Sequence, residues 1–243
     1  MQTIILGDGH LGWAVATAAG ERGERTPVLG RPPGPRHDPT AFAGGDLVVD
    51  ATRGDAVAAN VEAALEAGVR RFVIATTGWA GDRDVVDAAL RAAEATAVVA
   101  ANFSLGVALF GRLVESAAEL FGGVDGFDPY LLEWHRRAKA DRPSGTALDL
   151  AARLTARHPG LATADDLEVV SIRAGASPGM HLVGFDAAGE TVELRLTARD
   201  RTAYATGILA AAEWLRRAPR APGIHTFVPV VDELLARRTD LAA

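Results

Sequence analysis

The sequence predicts an α/β fold, a Rossmann-like doubly wound parallel sheet, followed by an α+β half with a mixed or antiparallel sheet. Three observations carry this. Short apolar runs alternate with helical patterns as far as about residue 103, as in successive βαβ units. A Gly-x-Gly-x-x-Gly lies between the first run and the first helix. After residue 104 the alternation stops, and strand candidates follow one another, two of them joined by a tight turn.

Thr3–Leu6 is a buried-strand pattern. Gly7-Asp8-Gly9-His10-Leu11-Gly12 follows, and Trp13–Arg22 reads as an Ala-rich helix. Such glycines permit a tight turn, let a pyrophosphate approach the backbone, and let the helix pack close to the strand. The helix start offers unpaired N–H groups to phosphate. These six residues form the candidate cofactor loop, the alternative being a plain tight turn. Thr26–Leu29 is the second strand. A site for NAD ordinarily has an acid at its end, bonded to the ribose 2′-hydroxyl. Here the strand ends in Gly30-Arg31. Arg31 can hold a 2′-phosphate through a bidentate pair, so NADPH is favoured over NADH. Otherwise Arg31 merely starts the Pro- and Gly-rich loop that runs to Gly45.

Asp46–Ala51, Arg71–Ala75 and Ala97–Ala101 are further strands, with helices at Ala56–Ala67 and Asp84–Ala95. Ligands of doubly wound sheets sit beyond the carboxyl ends of the strands. Thr52, Arg53, Thr76, Thr77, Asn102 and Ser104 lie there, though each also suits a cap or turn. Leu105–Phe121 is a long amphipathic helix, Pro129–Trp134 a strand, and Ser144–Arg157 a helix with Ser144 as N-cap. Leu167–Arg173, His181–Asp186 and Glu190–Ala198 are strand candidates, the last two joined at Ala187-Ala188-Gly189. Thr202–Arg216 is helical, and the tail Gly223–Leu235 ends in a short helix. The domain change falls near residue 104.

The 243 residues suffice for one large domain or two modest ones with a real core. A net charge of −6 argues against a nucleic-acid partner. No run approaches ~18 apolar residues, so no membrane span is expected. The absence of cysteine excludes disulfides and thiolate metal sites. Met1–Leu6 lacks a basic n-region, so a cytoplasmic location is expected. His37, His158 and His225 show no metal-ligand spacing, so no metal is expected. Trp13, Trp134 and Trp214 read as packing residues.

Glu133–Thr146 reads Glu-Trp-His-Arg-Arg-Ala-Lys-Ala-Asp-Arg-Pro-Ser-Gly-Thr. Of the 25 Lys+Arg residues, Lys139 is the one lysine. A lysine can give up its proton where an arginine cannot. His135 also exchanges a proton near neutral pH. Ser144, Gly145 and Thr146 form the first turn of a helix, whose N–H groups lack intrahelical partners and suit a carboxylate or phosphate. A dinucleotide site together with such a cradle, a His and a Lys is the layout of an NAD(P)H-dependent reductase of a small carboxylate. The alternative is a charged surface loop that retains one lysine by chance.

These residues resemble the signature of the dihydrodipicolinate reductase family, Glu-x-His-His-x-x-Lys-x-Asp-x-Pro-Ser-Gly-Thr-Ala. The resemblance extends to the Gly7–Gly12 loop, Asp50-Ala-Thr52, Ala75-Thr-Thr-Gly78, Ala101-Asn-Phe-Ser104 and Pro178-Gly-x-His181. It implies a cofactor domain over residues 1–103, completed by 206–243. It also implies a substrate-binding and oligomerisation domain over 104–205, whose sheet builds a homotetramer. The implied substrate is a cyclic imine dicarboxylate of lysine and diaminopimelate synthesis, reduced by hydride from NADPH or NADH. His135 would take the place of the proton donor/acceptor and Lys139 that of its charge-stabilising partner. Ser144, Gly145 and Thr146 would hold a carboxylate. Thr52, Ala75, Thr76, Thr77, Ala100, Ala101, Asn102 and Phe103 would line the nicotinamide side. Arg136 stands where the family has a second histidine, and can itself bind a carboxylate. Ala51, Ala75 and Leu196 also depart from the pattern. A reductase of another cyclic imine carboxylate, and a non-catalytic dinucleotide sensor, are the competing readings. The retained His135 and Lys139 argue against the sensor.

Overall fold

The computed structural model of the chain describes residues 2–34 and 36–240. It divides into two compact units, one of residues up to Leu105 together with Arg201 onward, the other Gly106–Asp200.

The first unit is built on β1 (Thr3–Leu6), β2 (Val28–Leu29), β3 (Leu47–Asp50), β4 (Arg71–Ile74), β5 (Thr96–Val99) and β10 (Gly223–Thr226). They pair in the order β10-β5-β4-β3-β1-β2, and every pair is parallel. β1, β3 and β5 are buried at every residue, which explains their unbroken apolar runs: both faces are covered. Helices α1 (His10–Gly20) and α6 (Thr202–Arg217) pack together, with α6 also against β4. Helices α2 (Val57–Glu66) and α3 (Arg83–Ala92) lie against β3 and β5. Ile4, Leu6, Val48, Phe72, Ile74, Val61 and Leu90 belong to one core cluster there.

Three sequence expectations are corrected. The first helix starts at His10 rather than Trp13, so the glycine loop itself supplies its first turn. Gly12, Val15 and Ala19 are its buried positions, which leaves Trp13 on the opposite face, 57% exposed instead of packed. The tail contributes β10, a strand that the sequence did not signal. Gly223-Ile224-His225-Thr226 has a single aliphatic residue, and its identity comes from pairing beside β5, Ile224 opposite Ala97.

The second unit carries β6 (Asp128–His135), β7 (Glu168–Arg173), β8 (Met180–Ala187) and β9 (Glu190–Thr197) in the order β7-β6-β8-β9. The sheet is mixed. β6 and β7 run parallel because helix α5 (Gly145–Arg157) makes the crossover between them, while β8 and β9 form an antiparallel hairpin. The hairpin turns on Ala188-Gly189. Helix α4 (Leu105–Gly122) and α5 contribute Phe110, Val114, Leu150 and Leu154 to a core with Leu131, Val183 and Phe185 of the sheet. Along β6 the side chains alternate. Leu131, Glu133 and His135 point inward, while Tyr130, Leu132 and Trp134 line the outer face. That face is apolar where β6 meets the end of β7, with Trp134 37%, Val170 41% and Ile172 38% exposed, and polar along β9, where Glu193 and Arg195 are exposed. No helix among the described residues is long and apolar enough to cross a membrane.

Candidate active site

In the first unit the sheet order reverses between β1 and β3, and ligands of doubly wound sheets sit beyond the carboxyl ends of the strands at such a point. The glycine loop occupies this point. Gly7 adopts φ +102°, and a Cβ there would run into the Ala51 carbonyl. A Cβ on Gly12 would drive into the Gly7 carbonyl, so the helix can approach the loop only as glycine. Gly9, the N-cap of α1, faces open space, and no side chain caps the helix. No acid lies in its first turn. An uncapped helix start with an open glycine fits a pyrophosphate. Asp8, His10 and Arg31 are exposed, and Leu11 is half-buried.

The threonines beyond β3 and β4 behave differently from a row of ligand hydroxyls. Asp50 is buried, and its Oδ1 accepts from the Thr52 amide (3.0 Å), the Thr52 hydroxyl (2.7 Å) and the Thr76 hydroxyl (2.6 Å). Asn60 donates to Asp50 Oδ2 at 2.8 Å. The hydroxyls of Thr52 and Thr76 therefore tie two loops to one carboxylate, while Thr77 stays exposed and Ala75 half-buried. After β5, Ala100 is half-buried and Ala101 exposed. The Asn102 side chain accepts from the Ser104 amide at 2.8 Å. Phe103 is buried, its ring 5.0 Å from that of Phe227. Phe103 thus brings only its backbone to the loop surface.

In the second unit β6 ends in the pair Glu133 and His135. Two residues apart on a strand, they share its inner face. Glu133 is fully buried and accepts three hydrogen bonds on Oε1. Ser171 gives its hydroxyl at 2.6 Å, Arg173 its guanidinium at 2.7 Å, and Ser144 its backbone N–H at 2.9 Å. Burial pushes this carboxyl up, but these hydrogen bonds outweigh it and hold it at about 2. The other oxygen, Oε2, lies 3.0 Å from His135 Nδ1 and 3.9 Å from His181 Nε2. Neither Oε2 nor Nδ1 has a well-aligned hydrogen bond, so the contact is electrostatic. An ionised oxygen this close favours the tautomer with its proton on Nδ1, in which Nε2 is the nitrogen free to exchange a proton. A Cβ on Gly179 would sit 3.0 Å from that Nε2, so glycine keeps room for the ring. Burial lowers the His135 pKa, against the Glu133 charge that raises it. His181 meets His135 edge to face, ring centres 5.2 Å apart. Burial and then the neighbouring imidazole push His181 down to about 4.

Lys139 is partly exposed and paired with Asp141 at 2.7 Å. Arg136 is exposed, and its N–H donates to the Ser177 carbonyl at 2.7 Å. Ser144 is the N-cap of α5, as expected, accepting from the Ala147 amide at 3.2 Å. One expectation is corrected here. Ser144 is buried, its N–H goes to Glu133, and its hydroxyl lies 3.3 Å from His181 Nε2. The Gly145 amide is drawn toward Asp141. The cradle is thus anchored inward at its first residue and presents Gly145 and Thr146, of which Gly145 is exposed and Thr146 half-buried.

Glu133, Ser171, Arg173 and His181 were not singled out as site residues from sequence. Strand register brings them together: Glu133 stands opposite Ser171 and His181, and His135 opposite Arg173. Ligand atoms of Glu133, His135 and His181 lie within 4.8 Å of one another, a spacing open to a metal ion. The Arg173 guanidinium already places a cation on that carboxylate.

A doubly wound sheet with a glycine loop at its switch point, linked to a mixed sheet bearing a His–Glu–Lys cluster, defines an oxidoreductase of the Rossmann class. The chain belongs to the dihydrodipicolinate reductase family. The family's N-terminus description matches residues 36–103 and its C-terminus description residues 106–230. A 4-hydroxy-tetrahydrodipicolinate reductase of Archaeoglobus fulgidus is 35% identical over 207 residues, 79% of this chain and 78% of its own. One of Myxococcus xanthus is 37% identical over 201 residues, 76% of this chain and 72% of its own. Among solved structures, the dipicolinate-bound dihydrodipicolinate reductase of Paenisporosarcina sp. TG-14 has a TM-score of 0.69 at 18% identity, covering 93% of this chain and 97% of its own. At that identity the likeness speaks to the fold alone.

Proposed function

We propose that the chain reduces 4-hydroxy-tetrahydrodipicolinate to tetrahydrodipicolinate, in lysine and diaminopimelate biosynthesis, with a nicotinamide cofactor. The observation that carries this is the buried Glu133–His135 pair at the end of β6, followed by Lys139 and the α5 start, in a chain of this family. A bound nicotinamide would supply the hydride. The backbone of Gly7, Asp8, Gly9, His10, Leu11 and Gly12 would receive its pyrophosphate, and Arg31, exposed after β2, would pair a 2′-phosphate and favour NADPH. The backbones at Ala75–Thr77 and Ala100–Phe103 flank its nicotinamide end.

His135 gives or takes a proton at Nε2 while Glu133 fixes Nδ1–H and balances the imidazolium. The Lys139 ammonium offsets negative charge developing on the substrate ring. Gly145 and Thr146 at the α5 start, with Arg136, hold carboxylates. Because Arg136 replaces the family's second histidine, reduction of a related cyclic imine carboxylate is the second reading. The test is NADPH oxidation with 4-hydroxy-tetrahydrodipicolinate. Turnover is expected, and Arg31→Ala is expected to lower kcat/KM for NADPH relative to NADH by about tenfold. A folded protein that binds the cofactor but does not turn over this substrate would refute the first reading.

A homotetramer in the cytoplasm is the proposed state, its interface the outer face of the mixed sheet. Exposed Trp134, Val170 and Ile172 on one side of the sheet support it. Light scattering is expected to give four times the chain mass, and a monomer at micromolar concentration would remove the proposal.

A further inference from the structure

The sequence lacks an acid at the end of β2, where Gly30 has no side chain at all. The space is nevertheless taken by a carboxylate. Asp8 Oδ2 lies 2.8 Å, and its Cγ 3.3 Å, from where a Cβ on Gly30 would stand. The second residue of the glycine loop therefore reaches across from the end of β1 to the end of the neighbouring strand, to which β1 is paired in parallel. Among the described residues no hydrogen bond or ion pair engages the Asp8 carboxylate, and the residue is exposed.

We propose that Asp8 takes the part of the missing β2 acid. Its carboxylate accepts a hydrogen bond from the 2′-hydroxyl of an unphosphorylated adenosine ribose and repels a 2′-phosphate. The inference rests on the dinucleotide reading above and deepens it. Two residues then compete at the ribose end. Arg31 attracts a phosphate. Asp8 accepts a hydroxyl and disfavours a second anion. Glycine at position 30 is what allows it, since any Cβ there would press on Asp8 Oδ2. The acid has in effect been moved from the strand to the loop, without leaving the place where the ribose binds.

Calorimetry on the full chain tests this without turnover. The probes are NADH, NADPH, ADP-ribose and 2′-phospho-ADP-ribose. Asp8→Ala is expected to raise the ratio of the NADH to NADPH dissociation constants by about tenfold or more, the loss of one hydrogen bond to a charged group. The ratio for the two ADP-ribose probes moves alike. Gly30→Ala, which pushes the carboxylate aside, shifts both ratios in the same direction. Asp8→Ala combined with Gly30→Asp returns them toward wild type. Unmoved ratios in Asp8→Ala and Gly30→Ala, with circular dichroism unchanged, overturn the Asp8 assignment alone. A wild-type chain that binds none of the four probes overturns the dinucleotide reading and this inference with it.

Discussion

Replacing Glu133 with glutamine is expected to destabilise the second unit by about 3 kcal/mol or more, lowering its Tm by roughly 12–24 °C. Glutamine keeps the shape and an acceptor oxygen but removes the charge. Arg173, whose side chain is 6% exposed, then stays buried without its counter-ion. The Ser144 amide and Ser171 hydroxyl would have to share a weaker acceptor. The same substitution separates positioning from packing, because the Glu133 carboxylate places its charge 3.0 Å from His135 Nδ1. Without the carboxylate the larger of the two charges that oppose burial at His135 is gone, leaving Asp141 alone, so the kinetic pKa of that group falls further. A purely structural glutamate would change Tm and leave the pH–rate profile in place.

Acid unfolding offers a second readout of this cluster. His181 is held at about 4, below the 6.5 of an ordinary histidine. The unfolded chain takes up this proton first as pH falls, so stability drops between those two values, on the order of 3 kcal/mol in all. Glu133, held at about 2 against 4.5, continues the loss at lower pH. The Glu133→Gln variant lacks the second phase and, without the charge that raises the His181 pKa, carries the first to lower pH.

How legible all this was depends on the distance over which each feature is specified. The glycine loop could be read because Gly7 and Gly12 answer to backbone positions close by in the chain. The Ser144 cap was readable for the same reason, since its partner is three residues on. Glu133 was within reach of the two-residue strand repeat. Arg173 and His181 were not, because only the register of β7 and β8 against β6 brings them to it. Thr52 and Thr76 show the opposite failure. They lie at the strand ends where ligand groups are expected, yet a buried aspartate engages both hydroxyls. β10 could not be read at all, since four residues with one aliphatic side chain have no periodicity to detect.

Lys139→Ala is expected to lower kcat by a factor of about 10²–10⁴, the usual span for a lost proton-transfer or charge-stabilising group. Stability should hardly move. The side chain is partly exposed and its partner Asp141 is 53% exposed, and ion pairs of that kind contribute roughly 0–1 kcal/mol. The backbone turn does not depend on the side chain either, since it is the Lys139 N–H that donates to the Arg136 carbonyl. Lys139→Arg sharpens the test. Arginine keeps the positive charge and can still reach Asp141, but it cannot release a proton and spreads its charge over a planar fork. If the ammonium acts only as a field on the substrate ring, arginine restores much of the rate. If it must deliver a proton, arginine stays as slow as alanine. Wild-type kcat in Lys139→Ala would instead mean that the one lysine of this arginine-rich chain is a surface charge.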